Sequence, residues 1–273
     1  IRDRNNTDNI LISVIVGTVF VGYYSNYYLI ISYITTFISI FITGITASLG
    51  NLNSEKNTES SYNMFNVLEL IFAFIGTVAV CCLINCLQPF IAIWIGNEQV
   101  MDFSWVVVIT LNLFLTTIMN PIWMFRETMG LFKQVRYLLL ITAGLNVVFS
   151  IALGKLFGVP GILAATFIAK LVSQYWYEPI ILFREFGKPV KQFYFNQIKQ
   201  LLVMILASCI SVLICYIFGN NIFYILIRAI ISSLIAVIMV WLFNCKSKAM
   251  SYIIDRYVSP ILAKIIMKMK RSK

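Results

Sequence analysis

The chain has 273 residues, of which 60% are hydrophobic and only 12% charged, with a mean hydropathy of +0.88. That leaves too little polar surface for a soluble domain of this size. Lys and Arg number 21 against 11 Asp and Glu, a formal charge of +10, and His is absent, which removes the commonest acid–base group and metal ligand.

Residues 1–9 carry neither a starting Met nor a signal-peptide pattern, so the chain is expected to begin inside a longer protein. Eight apolar segments follow, near 9–24, 27–49, 65–88, 104–125, 135–157, 160–183, 198–218 and 222–244. Runs of about twenty apolar residues suit helices crossing ~30 Å of hydrocarbon, and they lack the alternation of a barrel strand. Short breaks at Tyr24-Ser25-Asn26, Gly158-Val159-Pro160-Gly161 and Gly219-Asn220-Asn221 predict tight turns. Gly154 and Gly158 match a helix-dimer spacing but overlap one of these breaks, where a turn is the better reading. Cys81, Cys82 and Cys86 lie inside an apolar run without a His nearby, which favours packing over a metal site.

Two stretches read as interfacial. Residues 187–197 set Val190, Phe193, Tyr194 and Phe195 beside Lys188 and Lys191. In the tail, Ile253, Ile254, Tyr257, Ile261, Ile265 and Ile266 recur at helical spacing among lysines, as in a basic helix lying on an anionic leaflet, with Pro260 as a kink.

Orientation follows from the positive-inside rule. With the N-terminus cytoplasmic, the internal side holds 18 of the 21 basic residues, and the external loops hold only Lys155. Eight crossings with both ends cytoplasmic are therefore expected in the inner membrane. The net charge is then a topology signal and does not point to nucleic acid.

No loop pairs a nucleophile with a base, and none carries a Gly-rich phosphate loop or a carboxylate cluster, so an enzyme is not expected and no cofactor is implied. Six polar residues intrude into the apolar segments: Asp8, Glu69, Asn120, Lys170, Glu178 and Arg228. Glu69, Glu178 and Arg228 lie near segment ends, where snorkelling to the interface suffices. Lys170 is mid-segment, where a charge is costly; it reads as a substrate contact or as half of a structural ion pair. Tyr23, Tyr24, Tyr27 and Tyr28 gather with Ser25 and Asn26 at the first predicted turn, either as an interfacial aromatic belt or as stacking faces for sugar rings.

Several of these stretches resemble the polysaccharide transporter family. They are residues 7–13, residues 21–28, residues 47–52, Pro89-Phe90-Ile91 with Trp94-Ile95-Gly96, Arg126 with Gly130-Leu131-Phe132, and Asn146 with Gly158, Gly161 and Thr166. Members flip lipid-linked oligosaccharides for O-antigen, capsule and exopolysaccharide, within the multidrug/oligosaccharidyl-lipid/polysaccharide exporter superfamily. The resemblance implies an all-α polytopic membrane bundle: the second lobe of a two-lobe alternating-access exporter, plus two extra C-terminal helices. It divides the chain into a lobe at 1–185 with a truncated first helix, a linker at 186–197, two extra spans at 198–244 and a basic cytoplasmic tail at 245–273. It implies an undecaprenyl-diphosphate-linked substrate, and a first lobe outside this chain as partner. The implied substrate contacts are Lys170, Tyr24, Asn26, Tyr27, Asn120 and Arg126, with Asp8 as an ion-coupling residue or a helix cap. A multidrug or peptidoglycan-lipid exporter of the same superfamily, or a membrane enzyme of polysaccharide assembly, are the other readings.

Overall fold

In the computed structural model, which describes residues 2–54, 57–219 and 221–258, ten α-helices and no strand occur among the described residues. They are α1 (Arg2–Ile15), α2 (Thr18–Ser54), α3 (Thr58–Ile95), α4 (Phe103–Thr128), α5 (Phe132–Phe157), α6 (Val159–Val172), α7 (Gln174–Glu185), α8 (Lys191–Cys215), α9 (Ile222–Asn244) and α10 (Lys248–Ile253). Six of them, α2, α3, α4, α5, α8 and α9, are long and apolar enough to cross a membrane. Of the basic amphipathic tail expected at 245–273, the part up to residue 258 is described, and there α10 buries Met250 against Leu70, Val203 and Val240; the rest lies outside the described residues.

Cross-links at their ends set the direction of the helices. The Tyr27 hydroxyl accepts from the Met101 N–H just before α4, and the Asn53 amide donates to the Thr128 hydroxyl at the end of α4. The helices α2 and α4 are therefore parallel. Arg126, Lys133, Arg184, Lys188 and Lys191 gather at one end of the bundle, called here the basic end. The turns α3–α4, α5–α6 and α8–α9 lie at the other.

Three of the expected boundaries shift. The first turn is not at Tyr24-Ser25-Asn26 but at Gly17, whose φ of 134° is closed to residues with a side chain. The polar triplet stays helical because its groups find partners there: the Ser25 hydroxyl donates to Val21 O at 2.7 Å, and the Asn26 amide points to Gln99 at 3.5 Å. The sixth segment, expected as one helix over 160–183, breaks at Ser173 into α6 and α7. The Ser173 hydroxyl lies 2.7 Å from that of Thr142, so the break is held by α5. Residues 191–197, expected in a linker, are the first two turns of α8. Phe193 points inward there, while Phe195 is 70% exposed.

Packing is tightest between α5 and α6. The connecting Gly158 has φ 65°. A Cβ on Gly161 would stand 2.1 Å from the Leu153 carbonyl oxygen, and one on Gly154 would stand 2.7 Å from Ile162. Only glycine lets the two backbones approach this closely.

Two apolar clusters fill the lobe. At the basic end, Phe65, Phe125, Phe183, Phe186 and Phe193 bring α3, α4, α7 and α8 together. Phe65 meets Phe183 edge-to-face at 5.4 Å and Phe125 at 5.6 Å, the arrangement the ring quadrupole favours. At the other end, Ile12, Tyr27, Ile91, Trp105 and Ile162 join α1, α2, α3, α4 and α6.

The pair α8–α9 packs along α3 through polar contacts. The Asn85 amide reaches Ser211 at 2.9 Å and Ser232 at 3.0 Å. Cys82 lies 3.2 Å from Ser233, and Cys86 donates to Ile225 O. In an apolar medium such bonds join helices that burial alone would not hold together.

Candidate functional site

Helical periodicity places polar residues three or four apart on one face. On α4 these are Asn112, Thr116 and Asn120; on α6, Thr166 and Lys170, with Ser173 at the break that follows; on α5, Thr142 and Asn146. The three faces meet in the middle of the bundle. Asn112 donates to Leu163 O at 2.9 Å, tying α4 to α6. One turn further along, the Lys170 ammonium donates to the Thr116 hydroxyl at 3.0 Å. On the other side of α6, Asn146 donates to the Thr166 hydroxyl at 2.8 Å, which in turn points to the Asp8 carboxylate of α1 at 3.5 Å.

Lys170 is 7% exposed and Asp8 8%. Lys170 stands eleven residues after Val159 (170 − 159), roughly 16 Å along the helix and so near mid-span. Tyr24, buried on α2, lies within reach of the Asp8 charge. The shift of the first turn to Gly17 produces this meeting, because α1 and α2 form a hairpin that sets Asp8 opposite Tyr24.

The other sequence-derived candidates lie elsewhere. Asn26 and Tyr27 sit at the end opposite the basic one, where Tyr27 is fully buried against Met101. Asn120 is buried on α4 one turn beyond Thr116. Arg126 is at the basic end, ten residues or about 15 Å beyond Thr116, and its Nη1 pairs with Glu178 Oε2 at 2.9 Å. The structure therefore brings Lys170, Asp8 and Asn120 toward the middle of the bundle, sets Tyr24 within reach of Asp8, and holds Asn26, Tyr27 and Arg126 apart from them. Thr116, Thr142 and Asn112 escaped sequence reasoning. Their spacing on α4 and α5 was the available signal, but hydroxyls in membrane helices more often bond their own backbone.

Glu69 and Glu178 are buried in the protein rather than snorkelling to an interface, while Arg228 does reach the turn after α8. Glu178 is buried in the Arg126 pair. Glu69 is buried and accepts from Gln197 at 3.1 Å, while Arg228 donates to the carbonyls of Asn85 and Phe218. Each bonds to groups inside the protein. Outside the spans, Lys188 binds Glu59 at 2.8 Å, which raises its pKa through that hydrogen bond and the adjacent charge. This contact staples the α7–α8 connection to the start of α3.

No protein-family model matches the chain, and no curated protein matches it in sequence. Among solved structures it matches the lipid II flippase MurJ in an inward closed conformation, with a TM-score of 0.57 and 20% identity over 88% of this chain. The match takes in 51% of the MurJ chain, so this chain spans about half the length of the structure it resembles. At that identity the likeness is one of fold. The chain is a polytopic helical membrane bundle with the fold of about half of a lipid flippase.

Proposed function

We propose that this chain forms the second lobe, with two extra helices, of a transporter that flips undecaprenyl-diphosphate-linked oligosaccharides across the cytoplasmic membrane. The observation that carries this reading is Lys170: a cation buried mid-span, in a layer of polar side chains from α1, α4, α5 and α6. A sugar diphosphate cannot cross hydrocarbon unaided, and a cation in a low-dielectric site attracts it far more strongly than in water. Lys170 and Asn120 receive the diphosphate, while Tyr24 lines the route of the glycan; Asn26, Tyr27 and Arg126, engaged with Gln99, Met101 and Glu178, stay outside it. Asp8, with the oxygens of Thr166 and Asn146, forms an oxygen-lined site for a coupling proton or sodium ion. A first lobe supplies the facing wall, and the tail beyond residue 245 anchors to the anionic inner leaflet.

The basic end faces the cytoplasm, and both termini lie there. A cysteine introduced at Asn97 then reacts with an impermeant reagent from outside, and one at Lys188 does not; the reverse pattern overturns the orientation. Likeness to MurJ favours a second reading, in which the lipid-linked substrate is a peptidoglycan precursor. Both substrates share the lipid diphosphate, so competition between purified lipid-linked glycans for transport in liposomes separates them. In the transporter that contains this chain, Lys170→Ala abolishes flipping at near-normal membrane abundance, and Lys170→Arg keeps part of it. Full transport by Lys170→Ala removes the residue from the mechanism.

A further inference from the structure

At the basic end, a cavity of about 490 Å³ lies between α3, α9 and α10. Its walls are apolar: Ile71, Phe74 and Ile75 come from α3, Trp241 from α9, and Met250 and Ile253 from α10. The volume falls within the ~300–1,000 Å³ usual for ligand sites. Its depth follows from the helices around it. Trp241 stands three residues before Asn244, the last residue of α9, and so roughly 4.5 Å inside that helix end. Tryptophan is enriched at this level of a membrane, where hydrocarbon meets headgroups. Met250 packs on Leu70, and Ile75 is five residues further along α3, roughly 7.5 Å deeper. The cavity therefore starts at the level of α10 and runs into the hydrocarbon.

The chemistry of α10 changes across the helix. Met250 is buried and Ile253 half-buried, whereas Lys246, Lys248 and Arg256 are exposed. Each of these cations stands within four residues of Met250 or Ile253, which line the cavity. Three cations against one acid, Asp255, leave this rim basic. A soluble anion gains nothing from the apolar walls, and a neutral hydrocarbon gains nothing from the lysines. A molecule with an anionic head on an apolar chain uses both. We propose that this cavity takes one acyl chain of an anionic phospholipid of the leaflet at the basic end, with the lipid phosphate held by Lys246 and Lys248. The proposal rests on the reading of the chain beyond residue 245 as an anchor to that leaflet, and gives the anchor a defined site; it is independent of the transport reading.

The test is native mass spectrometry of the full chain in detergent, titrated with phosphatidylglycerol or with phosphatidylethanolamine bearing the same acyl chains. The expected result is one phosphatidylglycerol retained at energies that strip the micelle, at least tenfold more than phosphatidylethanolamine. Lys246→Gln with Lys248→Gln, both on exposed side chains, lowers that retention at least tenfold. Ile71→Trp fills the cavity from α3 with the lysines in place, and it too should lower retention at least tenfold. Lys264→Gln with Lys268→Gln and Lys270→Gln should leave it unchanged. Undiminished phosphatidylglycerol on Ile71→Trp overturns the proposal, as does equal retention of the two lipids. Loss of the lipid in the triple variant also overturns it, because the tail and not the cavity would then be the site; that outcome would leave the anchoring reading standing.

Discussion

Helices α2 and α4 run side by side in the same direction, and both are apolar enough to span a membrane. Yet 72% of the most apolar stretch of α4 is buried within the bundle, against 11% for α2. Their polar residues differ in the same way. On α4, Asn112, Thr116, Arg126 and Thr128 exchange hydrogen bonds with α6, α7 and α2. On α2, Ser25, Ser32, Thr35, Thr36, Ser39, Thr43 and Thr46 all donate to a carbonyl three or four residues back in their own helix. A hydroxyl satisfied that way asks nothing of its surroundings, so α2 can face lipid or another protein surface, or exchange one for the other. The keel of the lobe is α4, and its outer face is α2.

The contrast breaks first at the Arg126–Glu178 pair. Arg126→Ala leaves a buried carboxylate without its cation, and a loss of about 3–5 kcal/mol is expected. Unfolding of the detergent-solubilised protein measures it. The double variant Arg126→Met with Glu178→Leu should regain most of the loss; if it does not, the pair does more than neutralise itself. Gly161→Ala comes next: its methyl group would meet the Leu153 carbonyl, and overpacking of this kind costs about 1–3 kcal/mol. A fall in melting temperature without a change in helical circular dichroism is the expected signature. Asn85→Leu, which removes the bonds to Ser211 and Ser232, should cost less, about 0.6 kcal/mol per bond on the average found in other membrane bundles. It should also raise protease sensitivity at the α8–α9 turn before the rest of the chain is cut. Smallest are Thr36→Ala and Thr43→Ala on α2, expected within about 0.5 kcal/mol of the parent protein. A penalty there as large as that of Asn85→Leu would mean that α2 is held by more than its own backbone.

The spans themselves were legible because a membrane helix must be apolar along its length and bounded by polar or Gly-containing breaks. Gly158 and its neighbours announced their turn by composition. Gly17 did not, because a single glycine between Val16 and Thr18 competes as a signal with the more polar Tyr24-Ser25-Asn26. The triplet is helical because Ser25 bonds Val21 within its own helix and Asn26 meets the α3–α4 connection, a partner that only the tertiary structure supplies. The break at Ser173 carried no Gly or Pro signal of its own; Thr142, 31 residues earlier, stabilises it. At the site, the oddity of Lys170 was visible from its position alone. Its partner Thr116 was not, since one hydroxyl among many carries no mark of which helix it will face. The Arg126–Glu178 pair spans 52 residues, and periodicity along one helix says nothing about such a distance.

The 37 residues of α2 make a rod of roughly 55 Å, well beyond the ~30 Å of hydrocarbon it crosses. One end meets a single glycine at position 17. At the other, the Asn53 side chain donates to Thr128 and accepts from Ser61. In mechanical terms this is a lever with its fulcrum at Gly17 and a two-bond catch at the far tip. A swing of about 10° on an arm of this length carries the tip roughly 10 Å. Any such travel at the basic end would scale with the length of the arm, and it would first have to break the two hydrogen bonds of Asn53.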